Sequence, residues 1–216
     1  MVILHHIFLD VGLPSLDTRP EWLENIKTNT ELSNATLMLW GDKEVAELLD
    51  KYPQYKSMVN SFEKKFYLVD WIRYLILYEY GGIYLDCDVR LKKEVHDCER
   101  ILGDSNGKIN NNVIKLKDKQ EAKDLLIFSI GEYYRIKNNN MYKDWAGRRF
   151  THSVGAHCFR KFCKLNKLTS DIAFNEYFID EEAKSWMIGK DKITRLKEEL
   201  KWIWQLLLEK VVRLEK

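Results

Sequence analysis

In the first ninety residues, short apolar runs typical of buried strands alternate with longer segments whose apolar positions have helical spacing. Three short apolar runs have the length and flanking turns of buried strands: residues 2–9, 36–40 and 83–85. Two longer segments carry apolar side chains at the spacing of a helix face: residues 43–51 and 63–80. Pro20 suits the first turn of another helix, and Gly81-Gly82 suits the end of the long one. Alternating strands and helices predict an α/β domain whose central sheet is mostly parallel and flanked by helices.

The second half of the chain is less regular. Asparagine runs at residues 110–112 and 138–140 predict loops, since asparagine favours turns. Helical spacing recurs at residues 120–136 and 191–216. We expect a single domain over residues 1–216. Because the sequence ends inside a predicted helix, we expect it to be a piece of a longer protein.

Composition and charge exclude several classes of protein. The chain has 35 Lys and Arg against 33 Asp and Glu, so it lacks the positive excess of a nonspecific nucleic-acid binder. Its four cysteines form no Cys-x-x-Cys pair, which argues against a zinc ribbon or a disulfide framework. No apolar run reaches the roughly 18 residues of a membrane span, and the amino terminus lacks a signal peptide pattern. We therefore expect a cytoplasmic protein, monomeric, with no nucleic-acid partner and no integral membrane segment.

Candidate chemistry lies where the third predicted strand ends, at Asp86-Cys87-Asp88. Residues two apart in an extended chain point the same way, so both carboxylates would face one side at the carboxyl edge of the sheet. Mg²⁺ or Mn²⁺ would relieve their repulsion and could bind diphosphate oxygens. An isolated Asp-x-Asp is more often an acidic turn. The preceding predicted helix, however, carries Asp70 and Arg73 on one face. This pair could be a surface ion pair, or it could bind the hydroxyl groups of a sugar.

The segment that begins at Asp70 resembles a known family. Asp-x-x-Arg-Tyr, followed by Gly-Gly-x-Tyr-Leu-Asp-x-Asp, is similar to the DXD sugar-binding region of a glycosyltransferase group. That group includes yeast outer-chain mannosyltransferases and the glucosylating domains of large clostridial toxins. Residues 3–8 (Ile-Leu-His-His-Ile-Phe) resemble its first strand, and the likeness is clearest over residues 1–90. The size and ending also resemble the amino-terminal domain of capsid-glycosylating proteins of chlorella viruses, which would make this a viral protein of glycoprotein biosynthesis.

The resemblance implies a GT-A fold and a metal-dependent hexosyltransferase. The donor would be a nucleotide-diphosphate sugar, UDP-linked, the cofactor Mn²⁺ or Mg²⁺, and the acceptor a glycan or glycoprotein hydroxyl, with retention of configuration. The domain would comprise three parts: a nucleotide-sugar-binding half at residues 1–90, an acceptor-side half at 91–190 and a C-terminal helix at 191–216.

The same resemblance assigns roles to individual residues. Asp88 would bind the metal, Asp86 the ribose or the metal, and Asp70 with Arg73 the donor sugar; these four form the predicted catalytic set. The donor site would also contain Phe8, Leu9, Tyr84, Cys87, Asn112, Ser185 and Trp186. Phe8 stands where the family often has Trp. The third metal ligand stays open among Asn112, His152 and Asp180, and Thr151–Gly155 takes the place of the family's Thr-Gly-Pro stretch without its Gly-Pro.

Other interpretations remain open at this point. Aspartate-nucleophile phosphatases also place Asp-x-Asp after an apolar strand, but they normally have a small hydroxyl residue where this chain has Arg90. A catalytically silent sugar-nucleotide-binding module would have no need of both aspartates. A zinc site is a further alternative, which its residue spacing disfavours: His152, His157 and Cys158. The paired histidines His5 and His6, in a predicted strand, are expected as core or wall residues.

Overall fold

The computed structural model of the chain describes residues 2–11, 16–62, 64–95, 98–141 and 151–180. Its helices are α1 (Pro20–Leu32), α2 (Asp42–Lys51), α3 (Pro53–Asn60), α4 (Lys65–Tyr80), α5 (Lys119–Asn138), α6 (Ala156–Leu165) and α7 (Phe174–Tyr177). Its strands are β1 (Ile3–Ile7), β2 (Thr36–Trp40), β3 (Ile83–Leu85), β4 (Val89–Leu91), β5 (Ile101–Ser105), β6 (Lys108–Lys115) and β7 (Phe178–Asp180). None of the helices described in these ranges has both the length and the apolar character to cross a membrane.

Five strands form the central sheet in the order β2-β1-β3-β6-β5. β1 pairs in parallel with β2 and β3, whereas β6 runs antiparallel to both β3 and β5. A two-residue turn joins β5 to β6, and its residues Asn106 and Gly107 both have positive φ, 55° and 72°, as a tight hairpin requires. The α/β class is confirmed, and the sheet is parallel on the side of β1 and antiparallel beyond β3. β4 and β7 form a separate antiparallel pair.

The asparagine runs have two different outcomes. The predicted loop at residues 110–112 is wrong, because these residues lie inside β6. β6 is hydrogen-bonded to a strand on each side, and this pairing outweighs the local preference of asparagine for turns. The run at 138–140 does end a helix: α5 stops at Asn138, and Asn140 has a φ of 50°.

The long predicted helix is α4, and it delivers the acidic segment to the sheet edge. Residues 70–77 are buried on every side, which explains a helix that is apolar all round rather than amphipathic. Trp71, Leu75 and Ile76 are fully inaccessible and belong to the main core, each contributing about 1.5–3 kcal/mol of hydrophobic stabilisation. Gly81 and Gly82 end α4 with φ of 65° and 81°, and β3 follows at once. The carboxyl end of β3 therefore leads directly into Asp86.

His5 and His6 of β1 are both buried, as predicted for core residues. The Trp40 indole donates to Nδ1 of His5 at 3.2 Å, so the ring proton lies on Nε2, which donates to the Gly81 carbonyl oxygen at 2.9 Å. Burial lowers the pKa of His5 to about 4. A neutral His5 therefore ties β1 to β2 and to the turn that precedes β3.

Acid should weaken this connection. A group whose pKa falls from 6.5 in the unfolded chain to about 4 in the fold stabilises the protein above pH 6.5, and that contribution is lost as the pH falls toward 4. The contribution is about 3 kcal/mol. We expect the stability advantage of the wild type over His5→Gln to shrink between pH 7 and pH 4 in denaturant titrations. A constant difference over that range would show that His5 does not titrate in this way.

Gly103 of β5 makes room for a side chain of β6. The register between the strands shifts between Leu102 and Gly103, and a Cβ at Gly103 would lie 2.0 Å from Oδ1 of Asn112 and 2.7 Å from the Val113 nitrogen. We expect Gly103→Ala to lower the free energy of unfolding by about 1–3 kcal/mol because of this crowding. Gly131→Ala is the matched control. A Cβ there meets nothing within 4 Å, and alanine favours the helix by up to about 1 kcal/mol. Equal melting temperatures of the two variants would contradict the crowding argument.

Candidate active site

The acidic pair lies at the carboxyl end of β3 in a turn, not in extended chain. The Val89 nitrogen donates to the Asp86 carbonyl oxygen at 3.0 Å and closes a four-residue turn. The prediction that the two carboxylates face one side assumed an extended chain, in which residues two apart point the same way. That assumption does not apply to this turn. The Asp86 side chain is 33% exposed, whereas Asp88 is 8% exposed. The two aspartates differ in their access to solvent.

Arg73 of α4 joins two of the predicted acidic residues. Its Nη2 lies 2.7 Å from Oδ1 of Asp70, and its Nη1 lies 3.5 Å from Oδ1 of Asp86. Nη1 also donates to the Asn111 carbonyl oxygen at 2.6 Å. Asp70 and Arg73 share one helix face as predicted, and their burial excludes the surface ion pair. The guanidinium offsets part of the negative charge beside it.

Tyr84 of β3 supports this cluster from the sheet. The Arg73 guanidinium carbon lies 4.6 Å from the centre of its ring, and its hydroxyl donates to Oδ1 of Asp86. Burial raises the pKa of Asp70 to about 6, although the adjacent Arg73 charge acts in the opposite direction. Tyr84 therefore helps to fix the guanidinium that favours the ionised form of Asp70.

β6 contributes asparagine side chains to both sides of the site. Asn111 donates through Nδ2 to Oδ1 of Asp70 at 2.9 Å, and Asn112 donates through Nδ2 to Oδ2 of Asp180 at 3.0 Å. The Asp86 nitrogen donates to the Asn112 carbonyl oxygen at 2.8 Å. Two candidates for the third metal ligand, Asn112 and Asp180, thus lie together beside the acidic turn. Sequence reasoning missed Asn111, although the run of asparagines was a signal that could have marked it.

The residues present are compatible with a hard divalent cation. Carboxylate and amide oxygens line this edge, and Oδ1 of Asn112 is buried with no hydrogen-bond donor among the described residues. No three His, Cys, Asp or Glu side chains in the described ranges converge as a ready metal cage. Mg²⁺ commonly binds through one or two carboxylates together with substrate phosphates and water, which this arrangement allows.

Three residues of the predicted donor site, Phe8, Leu9 and Cys87, form a small cluster at the end of β1. Phe8 is half-buried and its ring packs edge-on against Trp22 at 6.0 Å, while Leu9 is buried. The Cys87 thiol donates to the Ile7 carbonyl oxygen at 3.5 Å. Because this side chain points into the core, only the backbone of Cys87 is available to a donor nucleotide. Trp22 was not predicted, and it puts an indole beside Phe8.

The stretch Thr151–Gly155 lies against α4. The Tyr74 hydroxyl donates to the Val154 carbonyl oxygen at 2.8 Å, and Gly155 packs beside Asp70. The His152 ring stacks on His157 with ring centres 4.3 Å apart. Cys158 is buried, and burial raises the pKa of its thiol, so the zinc alternative gains no support. The predicted Ser185, Trp186 and C-terminal helix lie outside the described residues.

Comparison with known proteins agrees with this geometry. Residues 17–114 match the family described as glycosyltransferase sugar-binding region containing DXD motif. A 53-residue stretch is 42% identical to inositol phosphoceramide mannosyltransferase 3 of Schizosaccharomyces pombe and covers 24% of this chain. A 96-residue stretch is 24% identical to inositol phosphoceramide mannosyltransferase 1 of the same yeast and covers 42% of this chain. The matches span 15% and 28% of those relatives.

The fold is also similar to that of a solved enzyme. PaToxG glycosyltransferase superposes with a TM-score of 0.52, over 77% of this chain and 68% of that chain, at 13% sequence identity. This likeness establishes the fold, and the family match covers the acidic turn together with the buried ion pair. Residues 17–114 therefore match the sugar-binding region of the DXD-type glycosyltransferases, and the chain has a GT-A-like fold.

Proposed function

We propose that the protein transfers a hexose from a UDP-linked donor to a hydroxyl of a glycan or glycoprotein, with Mn²⁺ or Mg²⁺ and with retention of configuration. The observation that carries this proposal is the buried Asp70–Arg73–Asp86 cluster beside Asp88, at the carboxyl edge where α/β sheets bind ligands. The single domain over residues 1–216 remains part of the proposal.

The metal would be held by Asp86 and Asp88, with Asn112 or Asp180 as a third protein ligand. A bound divalent cation supplies positive charge that stabilises a departing diphosphate. The Tyr84 hydroxyl holds one oxygen of Asp86, which leaves the exposed part of that carboxylate for ribose or cation. By resemblance, Phe8 and Leu9 would contact the nucleotide, and Ser185 and Trp186 the diphosphate.

Asp70 and Arg73 have different roles in binding the sugar. Every nitrogen of the Arg73 guanidinium already has a protein partner: Nε reaches the Val69 carbonyl, Nη1 the Asn111 carbonyl and Nη2 the Asp70 carboxylate. In this proposal Arg73 fixes Asp70, which accepts a sugar hydroxyl, and the remaining N–H groups of Arg73 can face the sugar oxygens. A sugar held in one orientation presents its anomeric carbon to the acceptor, which can lower the barrier by several kcal/mol.

Two relatives suggest a second class of acceptor. They are named inositol phosphoceramide mannosyltransferases, so a lipid-linked hydroxyl belongs in the acceptor screen beside glycans. UDP- and GDP-sugars should be incubated with Mn²⁺ and each acceptor, and nucleotide release and product should be measured. Phosphate release from a generic phosphoester, without nucleotide-sugar binding, would favour a phosphatase instead.

Replacement of Asp88 tests the metal assignment. We expect Asp88→Asn to reduce Mn²⁺-dependent nucleotide release and transfer by at least about 100-fold, because a charged ligand of the cation is lost. Asp124→Asn is the matched control, since Asp124 lies on the exposed face of α5. Near wild-type rates for Asp88→Asn, with an unchanged Mn²⁺ requirement, would refute the role of Asp88.

Replacement of Arg73 tests the buried ion pair. We expect Arg73→Met to lower the free energy of unfolding by about 3–5 kcal/mol, because the buried Asp70 carboxyl loses its counterion and must carry an uncompensated charge or take up a proton. Folded protein should lose donor-sugar use while it still binds UDP in calorimetry.

The double variant Arg73→Met/Asp70→Leu separates the two effects. An apolar pair in place of a buried ion pair is often neutral for stability, so the double variant should recover stability but not sugar transfer. Recovery of both would show that the pair serves only the fold.

A further inference from the structure

The two oxygens of the Asp70 carboxylate have different surroundings. Oδ1 lies 2.7 Å from Arg73 Nη2 in an ion pair and accepts from Asn111 Nδ2 at 2.9 Å. No hydrogen bond from a described residue reaches Oδ2. Asp70 is 8% exposed, and an ionised oxygen at such a position gains substantially from a hydrogen-bond donor.

Gly155 lies directly against this second oxygen. A Cβ on Gly155 would be 2.7 Å from Oδ2 of Asp70 and 3.0 Å from Cα of Thr151. The backbone angles of Gly155 are φ −88° and ψ −156°, which any residue adopts without strain. Glycine is therefore required at position 155 for space, not for backbone conformation.

One hydrogen-bonded chain holds both sides of this contact. The Asn111 amide nitrogen donates to Asp70 and, at 3.4 Å, to the hydroxyl of Tyr74. That hydroxyl donates to the Val154 carbonyl at 2.8 Å, one residue before Gly155. Tyr74 and Val154 are fully buried. The same asparagine thus sets the carboxylate and, through Tyr74, the position of the glycine beside it.

We propose that Gly155 is a positioning residue for the donor sugar: the lack of a side chain at position 155 leaves Oδ2 of Asp70 free to accept one specific hydroxyl, the contact already proposed for Asp70. This inference rests on the proposed function and refines it. The donor class is a nucleotide-linked sugar that keeps a free hydroxyl at the ring position facing Asp70. A methyl group at position 155 displaces the carboxylate and removes this hydrogen bond.

Monodeoxy donors test the proposal. The probe is the UDP- or GDP-hexose that releases nucleotide fastest in the screen, compared with its monodeoxy analogues. Wild-type kcat/KM should fall about 100-fold for one deoxy position, the size expected for a lost hydrogen bond to a charged acceptor. In Gly155→Ala, kcat/KM for the full donor should fall at least about tenfold, with little change for that deoxy donor.

Three controls accompany this comparison. Gly131→Ala, where an added Cβ meets nothing within 4 Å, should behave as the wild type with both donors. The affinity of Gly155→Ala for UDP or GDP alone, measured by calorimetry, should match the wild type. If Gly155→Ala does not fold, Asp70→Asn serves instead, because the amide keeps the size of the carboxylate and should lose the same discrimination.

The possible failures are distinguishable. If Gly155→Ala lowered kcat/KM equally for the full and the deoxy donors, Gly155 would have only a structural role, and the inference would be overturned. Wild-type turnover that does not discriminate among deoxy positions would overturn it while leaving the proposed function intact. A wild type that binds and turns over no sugar nucleotide would overturn the proposed function and this inference together.

Discussion

The guanidinium of Arg73 is the constraint on which the site depends. A buried cation costs several kcal/mol unless its charge and its N–H groups are satisfied. Here the partners come from three elements: Asp70 of α4, Tyr84 and Asp86 at the end of β3, and the Asn111 carbonyl of β6. These elements can move apart only by exposing an unpaired charge to the core. The interaction that organises the fold at this edge therefore also fixes the proposed donor site.

The charges of this cluster favour a divalent cation. Asp70, Asp86 and Asp88 carry three formal negative charges, and Arg73 carries one positive charge, which leaves a formal net charge of −2. Arg73 lies closer to Asp70 than to Asp86, at 2.7 Å against 3.5 Å, so it compensates mainly the charge of Asp70. Arg73 therefore offsets less of the charge of Asp86 than of Asp70. The proposed divalent cation would balance this formal net charge of −2, whereas Arg73 alone does not.

The sequence indicated the parts of this arrangement that arise from long, regular patterns. α4 and β3 follow from an apolar helix, two glycines and a short apolar run, and the shared face of Asp70 and Arg73 follows from helical spacing. The parts it did not indicate depend on pairing between distant residues. Asn111 looks like a turn residue until β6 is seen between two strands, although Asn106-Gly107 is a strong hairpin signal that could have predicted β5 and β6. The turn at Asp86 likewise depends on one local hydrogen bond that periodicity does not reveal.

The family match and the further site residues occupy different parts of the chain. Residues 17–114 include the buried ion pair and the acidic turn, whereas Gly155 lies beyond the matched region. The matched elements are held by a buried charge, which tolerates little change. Among the described contacts, the stretch around Gly155 is joined to α4 by the hydroxyl of Tyr74 and by van der Waals packing, which can be altered at lower cost. In the proposed transferase, the metal and diphosphate chemistry therefore depends on the matched region, whereas the contact of Asp70 with the donor sugar depends also on a glycine outside it.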